Sequence, residues 1–128
     1  MKITNLVVDD LREFIPPRPD TIYLRSKAEY IRFTEDNSTL HVENLYLDFD
    51  LGEGDNNTTR AFSLIILGST LPDMPEDLRW TFENIFIITA NPVAKKDLFQ
   101  TFTFHHYCAK NVIVGNAEDF ELINLVDW

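Results

Sequence analysis

Short apolar runs alternate with polar ones along most of the chain, and the spacing within each run predicts its element. Ile3 to Val8 reads as a first strand. In DDLREFIPP, Asp10 stands as a helix N-cap with Glu13 three residues on. Leu11, Phe14 and Ile15 share a helical face, and Pro16 and Pro17 end it, so a helix of one or two turns is expected. Thr21 to Arg25 and Glu29 to Thr34 both alternate, with Ile22 and Leu24, then Ile31 and Phe33, on one side. Each is expected to be a strand, with a turn over Glu35 to Ser38.

The stretch Thr39 to Leu51 changes phase. Leu40 and Val42 are apolar at even positions, whereas Leu45, Leu47, Phe49 and Leu51 are apolar at odd ones. A flat strand cannot turn both sets inward, so a bulge or break is expected near Glu43–Asn44. Thr59 to Leu67 is apolar on both faces at Leu64 to Leu67, as in a central strand covered on both sides. Paired with 39–51, it would form a hairpin whose tip is LDFDLGEGDNN. The segment from Pro75 opens like a helix and passes into the β-branched run Ile85 to Thr89, so a short turn should give way to a strand. Asn91–Pro92 should cap a short helix to Leu98. Gln100 to Cys108 alternates again, and strands at Val112 to Val114 and Phe120 to Val126 flank a turn at Gly115–Asn116. No repeat and no linker stands out. About seven to nine short strands without regular strand–helix alternation predict a mainly β protein, α+β at the margin. The expected form is a single domain over 1–128, an antiparallel β-sandwich or barrel-like sheet with one to three short helices.

Composition changes this picture little. A chain of 128 residues, 45% hydrophobic with ten Phe, is one domain with a real core. Apolar runs such as Leu64 to Leu67 are far too short to span a bilayer. MKITNLVVDDLREF lacks the apolar centre of a signal peptide, and Cys108 is the only cysteine. A cytoplasmic protein without disulfides is therefore expected, and the sequons at Asn37, Asn56 and Asn57 read as polar turns.

Charge carries more. A net charge of −10 disfavours direct contact with nucleic acid or anionic membranes and permits basic protein partners. No Lys or Arg lies between Arg32 and Arg60, a window holding Glu35, Asp36, Glu43, Asp48, Asp50, Glu53 and Asp55. With Leu45, Leu47, Phe49 and Leu51 inward, Tyr46, Asp48 and Asp50 should face outward. Glu43, Tyr46, Asp48, Asp50, Glu53 and Asp55 are thus the candidate partner-binding residues, Tyr46 as an aromatic anchor.

The chemical motifs are mostly negative. Phosphate-cradling glycine signatures, G-x-S-x-G and H-E-x-x-H are absent. A calcium loop counted from Asp48 fails, because Glu53 stands where Gly is needed and Thr59 where Glu is needed. In FHHYC, His106 and Cys108 would share a strand face, as a nucleophilic pair or, with His41, part of a zinc site. That face also carries Phe102 and Phe104, which favours a core role. No catalytic residue, metal site or cofactor is expected. The function expected is a non-catalytic acidic protein that docks on and blocks a basic site of a partner, in the manner of immunity proteins or phage inhibitors. The partner would be a toxin or a nucleic-acid-processing protein. The alternatives are a structural subunit of a larger particle and, less favoured, a small metal protein or enzyme.

Overall fold

Leu6, Val7 and Val8 leave the first strand no polar face, which suits the interior of a sheet covered on both sides. The computed structural model, which describes residues 1–52 and 57–124, places it there. In chain order the elements are β1 (Lys2–Val8), β2 (Arg12–Phe14), β3 (Thr21–Leu24), α1 (Lys27–Asp36), β4 (Leu40–Leu47), α2 (Arg60–Ser69), β5 (Trp80–Ile87), α3 (Pro92–Phe104), β6 (Ala109–Val114) and β7 (Leu122–Asn124). Short 3-10 turns cover Glu76–Leu78 and Ala117–Phe120.

Five strands form one sheet in the order β3-β1-β4-β5-β6, and every pairing in it is parallel. Parallel neighbours need crossovers, and α1, α2 and α3 supply those that follow β3, β4 and β5. The antiparallel sandwich or barrel is thereby corrected to an α/β sheet. Among the described strands, the small β2–β7 pair is the antiparallel one.

Three expected strands are helices, each for a local reason. In α1, Ser26 is the N-cap: its hydroxyl accepts the Glu29 amide at 3.2 Å and donates to the Glu29 carboxylate at 3.3 Å. In α2, Phe62, Ser63 and Ile66 are buried while Leu64 is 63% exposed, a helical rather than a two-residue period. In α3, Ala94, Leu98 and Phe102 are buried at four-residue steps, whereas Phe104 is 81% exposed. The expected helix after β1 is instead β2. Asp9 rather than Asp10 caps that turn, its Oδ1 accepting the Leu11 and Arg12 amides at 2.9 and 3.0 Å.

The phase change near Glu43–Asn44 is present, and it is shared. Ile3 and Leu6, Val42 and Leu45, Phe82 and Ile85, and Ala109 and Val112 all pack into one core, three positions apart in each strand. The two residues between them are polar each time: Thr4–Asn5, Glu43–Asn44, Glu83–Asn84 and Lys110–Asn111. The regular pairing skips the first member of each pair and resumes at the asparagine, with the register unchanged. The four asparagines form a ladder. Asn44 Nδ2 donates to Asn5 Oδ1 at 3.2 Å, Asn84 to Asn44 at 3.0 Å, and Asn111 to Asn84 at 2.9 Å. A hexapeptide therefore recurs, ITNLVV, VENLYL, FENIFI and AKNVIV, which corrects the expectation of no repeat.

The two sheet faces differ. One packs against all three helices through Tyr30, Phe62, Ile66, Leu98 and Phe102. The other is covered only over its carboxyl-end half. There Val7, Tyr46 and Phe86 meet Phe14 of β2, Leu122 of β7, and Ala117 and Phe120 of the last 3-10 turn. Tyr46 stacks on Phe86 with ring centres 4.7 Å apart. Below the ladder the same face is open, with Lys2, Thr4, His41, Glu43, Thr81 and Glu83 exposed.

Candidate functional site

In this strand order the chain passes from β1 outward to β3, then returns to the other side of β1 with β4. That reversal opens a crevice at the carboxyl ends of β1 and β4, where open α/β sheets bind ligands. The register Val8↔Leu47 puts the residues that follow side by side: Asp9 and Asp10 after β1, Asp48 after β4. The Asp48 amide donates to Val8 O at 3.0 Å and the Ile88 amide to Leu47 O at 3.1 Å, which brings Thr89 alongside from β5.

One oxygen from each of Asp9, Asp10 and Asp48 lies within 4.8 Å of the others. Asp9 and Asp48 are buried and Asp10 is partly so. Burial raises the Asp48 carboxyl from 3.8 to about 6, and the Asp9 charge adds to it. The Phe49 amide, Arg12 and the Thr89 hydroxyl oppose the shift. Asp10 is raised too, by burial and then by Asp9. The pocket thus concentrates more negative charge than its own donors satisfy. Three hard carboxylates converging in this way match the oxygen ligands of Mg²⁺ or a similar divalent cation. Gly52, at φ +97°, closes the rim, where a Cβ would stand 3.2 Å from Asp10 Oδ2.

Among the described residues two cationic side chains reach the trio: Arg25 Nη1 donates to the Asp9 carbonyl at 3.0 Å, and Arg12 is the one in ion-pair contact with the carboxylates. Arg12 Nη1 lies 3.0 Å from Asp9 Oδ2 and 3.7 Å from Asp48 Oδ2. Burial lowers the Arg12 pKa, but its hydrogen bond to Asp9 and the charges of Asp9, Asp48 and Glu118 outweigh that, and the guanidinium is held above its ordinary value.

The residues expected to form one docking strip are separated. Glu43 is exposed on the open half of the sheet, far down the strand from the cleft. Tyr46 is 4% exposed and packs in the second core, so it is no surface anchor. Asp48 is a cleft residue, and Asp50 is exposed just beyond it, bridged to Thr58. Glu53 and Asp55 lie outside the described residues. The expected hairpin does not form, since 60–69 is α2. The sequence reading singles out Asp48 but misses Asp9 and Asp10 as its neighbours in the cleft. A signal was available: Asp9 and Asp48 directly follow two copies of the hexapeptide.

FHHYC holds no constellation. His106 is exposed, while Cys108 is 1% exposed, with the Thr70 hydroxyl 3.4 Å from its sulfur. Burial pushes the Cys108 thiol up, away from thiolate reactivity. Cys108 is a core residue.

The model of one family, the cyclic-phosphate processing receiver domain, matches residues 4–104. The match runs from β1 through α3 and includes Asp9, Asp10, Asp48 and Thr89. Comparison with curated proteins and with solved structures gives no significant match. The family match overturns the inhibitor or immunity-protein reading and lends the assembly-subunit alternative no support. A receiver domain is a signalling and regulatory module, and size and acidity alone had suggested otherwise.

Proposed function

The chain belongs to the cyclic-phosphate processing receiver family, and from that premise we propose that its cleft binds a divalent cation through Asp9, Asp10 and Asp48 and, with that cation, a phosphate group. The observation that carries this is the convergence of three carboxylates at the switch point of the sheet. A cleft of aspartates repels phosphate on its own; a bound cation reverses the local field and supplies the electrophilic contact that a phosphate oxygen needs. Around it, this chain contributes the Phe49 amide and the Thr89 hydroxyl, both of which orient Asp48. Thr89 is itself fixed, since its oxygen accepts the Asn91 amide at 3.2 Å at the start of α3. A change at Asp48 therefore has a direct mechanical path into that helix.

In this proposal the domain is a regulatory module rather than an enzyme, working in the cytoplasm. Among the described residues no helix is long and apolar enough to cross a membrane, which is compatible with that setting. Its output is contact with another protein, and the exposed Asp50 beside the cleft favours a basic partner surface.

Calorimetric titration of the metal-free protein with Mg²⁺ is the test. One saturable site is expected in the wild type, and none in Asp10→Asn or Asp48→Asn. A cyclic nucleoside monophosphate should then bind only when Mg²⁺ is present. A wild-type protein that takes up no Mg²⁺ would sink the proposal.

A further inference from the structure

Asp9 has little capacity left for a metal. Its Oδ1 already accepts two backbone amides, those of Leu11 and Arg12, and its Oδ2 is taken by Arg12 Nη1 at 3.0 Å. The same guanidinium lies 3.7 Å from Asp48 Oδ2. A Mg²⁺ ion drawn in by these carboxylates needs oxygens at about 2.0–2.1 Å, and so meets a positive charge already resting on two of them.

We propose that Arg12 is a tethered counter-ion that competes with the divalent cation for Asp9 and Asp48, so that metal uptake requires its guanidinium to swing away. This rests on the cation-binding role of the cleft. The tether is visible in the backbone. Arg25 Nη1 donates to the carbonyls of Asp9 at 3.0 Å and Arg12 at 2.5 Å, and Arg12 is paired with Asn124 across β2–β7. The main chain is latched while the long side chain, 19% exposed, has a solvent side toward which to turn. Metal-free, Arg12 neutralises a pocket that would otherwise hold unpaired charge. Once displaced, it stands at the rim of the cleft as a positive group, placed for an anionic ligand.

The competition makes opposite demands on stability and affinity, which a merely structural arginine does not. Arg12→Gln should lower the melting temperature of the metal-free protein and raise its Mg²⁺ affinity on the order of tenfold, a size usual for coupled binding events. Arg12→Lys, a shorter point charge, should fall between. Mg²⁺ affinity that is unchanged or weaker in Arg12→Gln, with the wild type binding normally, would overturn the competition and leave the cation site standing. No Mg²⁺ binding by wild type or variant would overturn both. The wild type provides a check that does not depend on the variant folding. In arginine-labelled protein, the side-chain NMR signals of Arg12 should shift and lose their exchange protection as Mg²⁺ is added. Arg12 signals that stay put at saturating Mg²⁺ would refute the swing.

Discussion

Asp48 carries its charge at the expense of the fold. Its carboxyl titrates at about 6 in the folded protein against an ordinary 3.8, because it is buried next to Asp9. A group with a raised folded value favours the folded state most below its unfolded pKa, and that advantage is lost as pH rises through the folded one. Stability of the metal-free protein should therefore fall between about pH 4 and pH 6 from this residue, by a linkage of roughly 3 kcal/mol. Asp48→Asn removes the penalty with little change of shape. Urea unfolding should find the variant close to wild type near pH 4 and more stable at pH 7. A gap of equal size at both pH values would show that ionisation is not the cause.

Among the elements, the asparagine ladder carries a testable share of the sheet's strength. Asn84 is one of two inner rungs: it donates to Asn44 and accepts from Asn111, and it is half-buried. Asn84→Ala removes two hydrogen bonds and leaves the Asn44 oxygen without its donor, which should cost about 1–3 kcal/mol. Asn111 is exposed at the sheet edge, so Asn111→Ala should cost less than about 1 kcal/mol. Denaturant midpoints of the two variants would show the difference; equal losses would mean the ladder is incidental. The ladder also marks how far the elements were legible. The phase change at Glu43–Asn44 was readable from one strand, because Leu40, Val42, Leu45 and Leu47 cannot share a flat face. That Asn5, Asn84 and Asn111 repeat it became visible only with the strands aligned. Helix and strand were confused where windows were short. Ile31 and Phe33 alternate, yet Tyr30 just before them is the fully buried residue and Ser26 with Glu29 starts a helix. Phe102 and Phe104 alternate as well, yet they lie on opposite sides of α3.

For the whole molecule, the cleft exists only because topology brings distant residues together. Asp9 and Asp48 are adjacent through the β1–β4 register, and Thr89 joins through β5; spacing along the chain says nothing of this. Such a site is absent from the unfolded chain, so a cation that binds it stabilises the fold by mass action, about 2.7 kcal/mol at a hundred times its dissociation constant. That gain is similar in size to the penalty Asp48 imposes on the metal-free protein. The stability order of wild type and Asp48→Asn should accordingly invert with Mg²⁺ at pH 7. Without the cation the variant is the more stable. As Mg²⁺ rises, the wild-type melting temperature climbs while that of the variant stays nearly flat, and the curves meet near a hundredfold excess over the dissociation constant. Parallel curves in a thermal-shift titration would mean that Asp48 does not face the cation. A crossing would show that the charge which weakens the metal-free sheet is the charge that makes it a receiver.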